Sequence, residues 1–392
     1  MSEEKINISP SPLGRDGGGV YFAPGRINLI GEHLDYNGGL VLPAALTLGV
    51  KLTITPRTDN EISLRSATHS FATTIQLGDA IEYNQANQWC NYPLGVIAHL
   101  INEGYSIPAC DLYYESTLPE GSGLSSSAAV EVVTAYALIH QIYTPSPSGR
   151  VGEGLWLANF CKQVENQFIG VQCGIMDQYS VALGKKDNAI LIDCHQLKHQ
   201  YIPIELDEYA MLILDSKKPR SLIASKYNER KAECEAALKI IQTTQPDVTN
   251  LCEAEIYHLD LLNDDVLYRR TKHVISENLR VKECVKVLKY NDLSTFGRLM
   301  NASQESMKND YEITGLEMDT LVETAQQTKG CLGARMTGGG FGGCAIAIVH
   351  HSAIDTFTQQ VSEKYHQVTG LNCEIYKSEI GDGVRLLNTT DL

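Results

Sequence analysis

Basic residues are in deficit in this sequence. Its 392 residues carry 32 lysines and arginines against 47 aspartates and glutamates, a formal net charge of −15. With no surplus of cations to neutralise phosphates, the chain is a poor candidate for nonspecific binding to nucleic acid or to anionic membranes. A nucleotide site stays open, because such a site needs only local backbone donors and one or two cations.

Long apolar segments and paired cysteines are also missing. No apolar run approaches the length of about 20 residues that spans a bilayer, and the N-terminal run Met1–Lys5 has no apolar signal core. The eleven cysteines are odd in number and include no Cys-x-x-Cys pair, which is typical of reduced thiols rather than of disulfides or a zinc site. We therefore expect a soluble cytoplasmic protein with no membrane partner.

Repeats, low-complexity tracts and a Pro/Gly-rich linker are absent too, so the domain organisation must be inferred from length and patterning. A chain of 392 residues favours two or three domains, on a prior of roughly 150 residues each. Strands and helices do not alternate regularly, which predicts an α+β fold rather than a doubly wound sheet. We place a soft division near residue 205, giving the parts 1–205 and 206–392.

The patterning of apolar residues predicts the individual elements. Alternating or β-branched segments predict strands at 20–24, 48–56, 61–67, 71–77, 110–116, 189–194, 209–215, 344–350 and 373–380. Apolar residues at helical spacing predict helices at 125–143, 154–168, 175–183, 221–243, 281–308, 316–328 and 353–369. The glycine-rich segments described next lie at the ends of these elements.

The segment Ala23–Gly39 concentrates charged side chains among glycines. Within ten residues it carries Arg26, Glu32, His33 and Asp35. Glycine lets a backbone approach a ligand closely, and two acids with a histidine can accept from and donate to several hydroxyl groups. The segment predicts a sugar site, against the alternative of a charged loop that caps local backbone groups.

The segment Leu118–Ala129 joins a predicted strand to a predicted helix through glycines and a run of serines. Its backbone N–H groups and the positive end of the following helix suit an anion such as a triphosphate. The Gly-Lys-Ser/Thr of a P-loop is missing, so the chain is not a P-loop ATPase. On the residues alone, a serine-capped helix start is an equal alternative.

Two further segments complete the set of motifs. The segment Gly333–Gly343 contains Gly-x-Gly-x-x-Gly at 338, 340 and 343, but the apolar run after it predicts a strand, whereas a dinucleotide-binding turn leads into a helix. A loop packed against a ligand explains these glycines better. The segment Cys173–Tyr179 carries Asp177 near a helix start, where a lone aspartate most often interacts with the helix dipole.

Taken in their order along the chain, these four segments resemble the motifs of the galactokinases, a branch of the small-molecule kinases that act on galactose, homoserine, mevalonate and phosphomevalonate. The resemblance covers nearly the whole chain. It implies a two-lobed α+β fold with a mixed sheet and helices in the N-terminal lobe, a ferredoxin-like C-terminal lobe, and the active site in the cleft between them. It also implies ATP-dependent phosphorylation of D-galactose at the anomeric hydroxyl, with Mg²⁺ as cofactor.

The resemblance implies roles for individual residues. Asp177 matches the catalytic aspartate, and Arg26 matches the arginine that stabilises charge on the transferred group. The residues implied to bind the sugar are Glu32, His33, Asp35, Gly174, Asp177 and Tyr227. Those implied to bind ATP are Gly121, Ser122, Gly123, Leu124, Ser125, Ser126 and Ser127. The implied Mg²⁺ ligands are Ser127 and Glu165. The segment Gly333–Gly343, which is the third motif of the family, is implied to fold near the phosphates and the sugar.

Several alternatives stay open at this level. Asp177 can be a true base or an acceptor that orients the hydroxyl, because a carboxylate paired with arginine is a weak base. The substrate can be galactose, N-acetylgalactosamine or another aldose. A galactose-sensing protein without turnover is disfavoured by the unbroken run Ser125–Ala129. Trp89 and Tyr92 can flank the adenine or belong to the core. The oligomeric state is not indicated, and we expect a monomer.

Overall fold

The computed structural model describes residues 18–119, 121–142, 153–218 and 223–388. Its strands are β1 (Gly19–Asn28), β2 (Leu40–Val41), β3 (Pro43–Pro56), β4 (Glu61–Ser66), β5 (Thr73–Gln76), β6 (Cys110–Ser116), β7 (Asn188–Asp193), β8 (Lys198–Pro203), β9 (Tyr209–Asp215), β10 (Cys331–Met336), β11 (Cys344–His350), β12 (Glu374–Ser378) and β13 (Arg385–Leu386). Its α-helices are α1 (Asn91–Asn102), α2 (Ser126–Ile142), α3 (Glu153–Val164), α4 (Met176–Leu183), α5 (Ile223–Gln242), α6 (Asp265–Lys289), α7 (Leu293–Ser306), α8 (Leu316–Gln327) and α9 (Ile354–Thr369). The predicted helix ends at 143 and 221–222 lie outside the described residues.

The larger N-terminal sheet has the strand order β13-β1-β3-β6-β4-β5, and a bulge interrupts the pairing of β1 with β3 between Pro24 and Arg26. A Cβ atom on Gly25 would lie 2.5 Å from Cδ2 of Leu118 and 2.8 Å from the carbonyl oxygen of Leu124. Glycine therefore lets the segment after β6 pack on the strand. The bulge frees the N–H of Arg26 to donate to the Leu124 carbonyl at 3.0 Å.

Helices α2 and α4 both pack on β1 and β3. Buried small residues on α2, among them Ala128, Ala129 and Ala135, allow this close approach. A second sheet, in the order β2-β7-β8, lies beside them. This packing brings the N-terminal ends of α2 and α4 to the bulge in β1, where the candidate site lies.

The C-terminal sheet has the antiparallel order β10-β11-β9-β12. Along the chain, β9 is followed by α5–α8, then by β10, β11, α9 and β12, which is the βαββαβ pattern of ferredoxin-like folds with several helices in the first helical position. The apolar strand β11 is almost entirely buried, and α8 and α9 contact it. The predicted α+β fold with a ferredoxin-like C-terminal lobe is confirmed.

The end of the chain crosses the division that we placed near residue 205. Strand β13 pairs with β1, and Leu46 forms an isolated bridge with Ile380. The last described residues of the part 206–392 therefore pack on the N-terminal sheet. The division itself stays a prediction.

The predicted helix 281–308 is wrong as a single element, because the structure has α6 and α7 there. Asn291 adopts a left-handed backbone with φ of 52°, and Asp292 caps the first turn of α7. Both are ordinary signals for a helix end and a helix start. Helix α6 also begins earlier than predicted, at Asp265. The spacing of apolar residues did not predict helix α1 or the strands β2, β8, β10 and β13.

Two expectations from composition can be compared with the structure. None of the eleven cysteines, all of which are described, takes part in a disulfide, which agrees with the predicted reduced thiols. Among the described residues, no helix combines the length and the apolar character needed to cross a bilayer. The location of the protein in the cell stays a prediction.

Candidate functional site

The structure brings the two predicted catalytic residues into direct contact. Arg26 lies beside the bulge in β1, and Asp177 lies in the first turn of α4. The Nε and Nη2 atoms of Arg26 donate to the two carboxylate oxygens of Asp177, each at 2.8 Å. The hydroxyl of Ser125 donates to Oδ2 of Asp177 at 2.7 Å. Three donors, two of them charged, hold this carboxylate in one orientation, while its side chain stays 31% exposed.

The predicted phosphate loop is shaped by left-handed backbone angles. Gly121, Gly123 and Ser125 have φ values of 66°, 75° and 63°. Arg26 Nη1 donates to the Gly123 carbonyl at 2.6 Å, so one arginine holds both the loop and Asp177. Helix α2 follows directly, and the first N–H groups of a helix have no intrahelical partner and favour an anion. The predicted residues 121–127 therefore form a continuous loop with the shape to hold an anion, and we call it the phosphate cradle.

A cavity of about 300 Å³ lies beside this cradle. Trp89, Tyr92, Ser126 and Ser127 are among the residues that line it. The indole N–H of Trp89 donates to the Phe71 carbonyl at 2.9 Å, which fixes the plane of the ring. An aromatic cavity next to a phosphate cradle suits a purine base. Sequence analysis left Trp89 and Tyr92 undecided, and both line this cavity.

The two predicted Mg²⁺ ligands face one another. Ser127 Oγ lies 3.4 Å from Oε1 of Glu165, which sits in a π-helical turn after α3. Gln178 donates to the other oxygen of Glu165 at 2.5 Å. Burial and the nearby Asp177 raise the pKa of Glu165 to about 7. A hydroxyl and a carboxylate beside a phosphate cradle fit a hard divalent cation whose other ligands are phosphate and water.

Clusters of protein ligands are not needed for such an ion. Within the described ranges, no group of three or more His, Cys, Asp or Glu residues is arranged to hold a metal. Mg²⁺ usually binds proteins through one or two carboxylates together with substrate phosphates. The pair Ser127 and Glu165 has this composition.

Several predicted sugar-binding residues lie close to Asp177. A Cβ atom on Gly174 would lie 1.8 Å from Oδ2 of Asp35, so glycine is required for these two residues to lie side by side. Burial and the charge of Asp177 raise the pKa of Asp35 to about 6. Burial also raises the pKa of Glu32 to about 6, although Arg335 opposes this shift. Poorly hydrated carboxyl groups gain when they bind the hydroxyl groups of a ligand.

His33 and Tyr227 lie next to one another and close to Asp35. Burial lowers the pKa of His33 to about 3, so its ring is neutral. Its Nδ1 lies 2.7 Å from the hydroxyl of Tyr36, and its Nε2 lies 3.3 Å from the carbonyl oxygen of Gly339. The ring of Tyr227 lies 5.2 Å from that of His33. Because both ring nitrogens have protein partners, a sugar hydroxyl must compete with the longer bond to Gly339.

The third glycine-rich segment connects β10 to β11 and closes the site. The N–H of Gly338 donates to Oε1 of Glu32 at 2.8 Å. A Cβ atom on Gly338 would lie 3.1 Å from the carbonyl oxygen of Gly123, and one on Gly339 would lie 3.7 Å from the ring of Tyr227. The connection therefore contacts the first motif, the phosphate cradle and α5 together.

Sequence analysis missed a buried ionic network behind Glu32. Arg335, fully buried on β10, has Nη2 3.4 Å from Oε1 of Glu32, and its Nη1 donates to the Asn28 carbonyl at 3.1 Å. Glu277 on α6 accepts the N–H of Gly31 at 2.9 Å. These partners are separated by more than 240 residues along the chain, so local patterning cannot pair them. The sequence signal that remains is a cation within an otherwise largely apolar strand.

Three family models match the chain. The model described as the galactokinase galactose-binding signature matches residues 13–56. The GHMP kinases N terminal domain matches residues 91–185, and the GHMP kinases C terminal model matches residues 281–367. The three matched ranges contain the first motif, the phosphate loop with Asp177, and the third motif.

Individual proteins match over most of their length. The galactokinase of Staphylococcus carnosus is 45% identical, covering 93% of this chain and 94% of that protein. The galactokinase of Halalkalibacterium halodurans is 42% identical, covering 93% and 92%. The crystal structure of Lactococcus lactis galactokinase complexed with galactose has a TM-score of 0.88 and 40% identity, covering 94% of this chain and 95% of that one. A mevalonate kinase structure, at 19% identity and a TM-score of 0.66, covers 93% and 99% and shares the fold.

Proposed function

The chain belongs to the galactokinase family, and we propose that it transfers the terminal phosphoryl group of ATP to the anomeric hydroxyl of D-galactose, forming galactose 1-phosphate and ADP. The observation that carries this proposal is the contact of Arg26 and Ser125 with Asp177, which joins the phosphate cradle to the sugar-binding residues. The galactose bound to the Lactococcus lactis relative supports the choice of sugar.

The proposed reaction is a direct in-line transfer. The anomeric oxygen forms a bond to the γ-phosphorus while the bond from that phosphorus to the bridging oxygen of ADP breaks. Asp177 accepts the proton of the attacking hydroxyl. Arg26, which is buried and already oriented by two bonds to Asp177, stabilises charge on the transferred group.

Ser127 and Glu165 are the proposed ligands of Mg²⁺, which would neutralise charge on the β- and γ-phosphates when bound. We further propose that the reaction takes place between the two lobes. The third glycine-rich segment comes from the C-terminal sheet and contacts Glu32 of the first motif, which supports this location.

Blocking the anomeric oxygen tests which hydroxyl reacts. If Glu32 and Asp35 bind the other hydroxyl groups, methyl galactoside should not be phosphorylated, while 2-deoxygalactose should react, because only one hydroxyl can lie about 3–3.5 Å from the phosphorus. A coupled ADP-release assay measures turnover, and ³¹P NMR identifies the product. A phosphate on the sixth carbon, or turnover of the methyl glycoside, would contradict the role given to Asp177. Absence of turnover with every aldose would favour a sugar-sensing protein instead.

N-acetylgalactosamine is the second candidate substrate. A polar cavity of about 370 Å³ opens beside Asp35 and Gly174, and Lys162 and Asn166 also line it. This volume leaves room for a substituent on the sugar. The same ADP-release assay with N-acetylgalactosamine measures whether the cavity is used.

The proposed metal ligands predict a selective effect on Mg²⁺. Ser127→Ala and Glu165→Gln should each raise the Mg²⁺ concentration at half-maximal rate, by about 10-fold or more, since each removes an oxygen ligand. Galactose affinity, measured calorimetrically without nucleotide, should stay unchanged. Titration of Mg²⁺ at fixed ATP measures the effect. An unchanged Mg²⁺ dependence in both variants would rule out this pair as ligands.

A further inference from the structure

Glu131 is a carboxylic acid buried where no charge is expected. It lies on α2, one helical turn after Ser127, and its side chain is completely shielded from solvent. Both of its carboxyl oxygens lack a hydrogen-bond partner. An ionised carboxylate in such a place costs several kcal/mol unless it is paired (about 3–5 kcal/mol where one partner of a buried pair is removed).

Among the described residues, the ionisable groups that act on Glu131, or on which it acts, carry no positive charge. They are Glu165, Asp177, Tyr92, Cys161 and Cys173. Burial and the negative charge of Glu165 raise the pKa of Glu131 well above its ordinary value, although the amide of Gln178 opposes this shift. Burial and the neighbouring acids thus both favour the neutral form.

Gln178 links Glu131 to the proposed metal site. Its amide lies next to Glu131, although no hydrogen bond joins the two side chains, and its Nε2 donates to Glu165 at 2.5 Å. That bond fixes the orientation of the amide, since only the NH₂ group can donate to a carboxylate. The amide oxygen of Gln178 is buried and has no donor. Acceptors without donors therefore remain on both Glu131 and Gln178, and a proton on Glu131 supplies the missing donor.

We propose that Glu131 is a positioning residue whose neutral carboxyl group donates a hydrogen bond to the amide oxygen of Gln178 and thereby holds Glu165 towards Ser127. The consequence for Glu165 rests on the proposed function, because it concerns that residue as a Mg²⁺ ligand. Outer partners that orient a metal ligand affect metal affinity about 10–100-fold. Glu131 itself touches neither nucleotide nor sugar in this arrangement.

Two substitutions of similar size separate this role from a charged one. Glu131→Gln keeps a donor, the amide NH₂, and should leave the Mg²⁺ concentration at half-maximal rate within about 3-fold of the parent, which is below the range of about 10–100-fold for lost outer partners. Glu131→Met removes the donor and should raise that concentration by about 10-fold or more. Galactose affinity without nucleotide should be unchanged in both. Equal impairment of the two variants would overturn the proposal, because it would mean that the ionised carboxylate is required. An unchanged Mg²⁺ dependence in Glu131→Met would also overturn it.

A second measurement applies even if Glu131→Met does not fold. The infrared difference spectrum between the parent and Glu131→Gln at neutral pH should contain the carbonyl stretch of a protonated carboxylic acid. A carboxylate band in its place would overturn the proposal. This readout does not depend on metal binding. If Glu165→Gln leaves the Mg²⁺ dependence unchanged while the acid band is present, the ligand assignment fails and the hydrogen bond of Glu131 to Gln178 stands.

Discussion

The Asp177→Asn variant is expected to bind galactose and to turn over at least about 100-fold more slowly than the parent, the scale of a positioned acid–base group. Asparagine keeps the shape of the side chain but cannot accept a proton. It also removes the charge that pairs with both Nε and Nη2 of Arg26. Calorimetry measures the retained binding, and rapid-quench measurement of the first turnover separates the chemical step from product release.

A control variant shows whether this effect is specific to Asp177. Asp264 lies at the start of α6, where its Oδ1 accepts the N–H of Leu267 at 3.0 Å. Asp264→Asn should leave turnover unchanged, because it makes the same substitution outside the site. Turnover of Asp177→Asn within a few-fold of the parent would contradict a catalytic role for Asp177.

The same variant can separate a base from an orienting acceptor. In 2-deoxy-2-fluorogalactose the fluorine makes the anomeric hydroxyl more acidic. If Asp177 removes the proton, the deficit of Asp177→Asn should shrink with this substrate, since a more acidic hydroxyl depends less on a base. An equal deficit with both sugars would indicate that Asp177 only orients the hydroxyl.

Arg26 and Asp177 show how much of the candidate site could be predicted from the sequence. They are 151 residues apart, and their pairing followed from the resemblance of whole motifs rather than from the residues alone. Local patterning was reliable where an element buries a continuous apolar face, as in β9 and β11. It failed between α6 and α7, where a left-handed Asn291 follows one helix and Asp292 caps the next, because the apolar spacing alone does not show this interruption.

The residues that hold the site together were harder to predict. An acid inside the apolar helix α2, or a cation within the otherwise largely apolar strand β10, is visible in the sequence as an anomaly. What each one pairs with is not visible, because Gln178 and Glu32 lie on distant elements. Long-range polar contacts depend on how the sheets pack, and the sequence patterns used here describe only the faces of single elements.

Arg335→Met is expected to destabilise the protein by about 3–5 kcal/mol, the usual cost of removing one partner from a buried ion pair. The fully buried Arg335 lies near both Glu32 and Glu277. Glu277 keeps its bond to Arg280, so the uncompensated charge is that of Glu32. Galactose binding should weaken as well, because Glu32 loses the contact that opposes its protonation. Urea denaturation and calorimetry measure the two effects.

A surface arginine provides the control for this last prediction. Arg57 pairs with Asp59, Glu61 and Asp111 near the protein surface, and Arg57→Met should lower the free energy of unfolding much less than Arg335→Met, since water screens such pairs. The double variant Arg335→Met with Glu32→Gln should recover part of the lost stability, because the unpaired charge is then removed, with a coupling of about 0.5–3 kcal/mol. If Arg335→Met is no more destabilising than Arg57→Met, or the double variant shows no coupling, then Arg335 does not compensate Glu32. The position of Glu32 would in that case depend on its bond from Gly338.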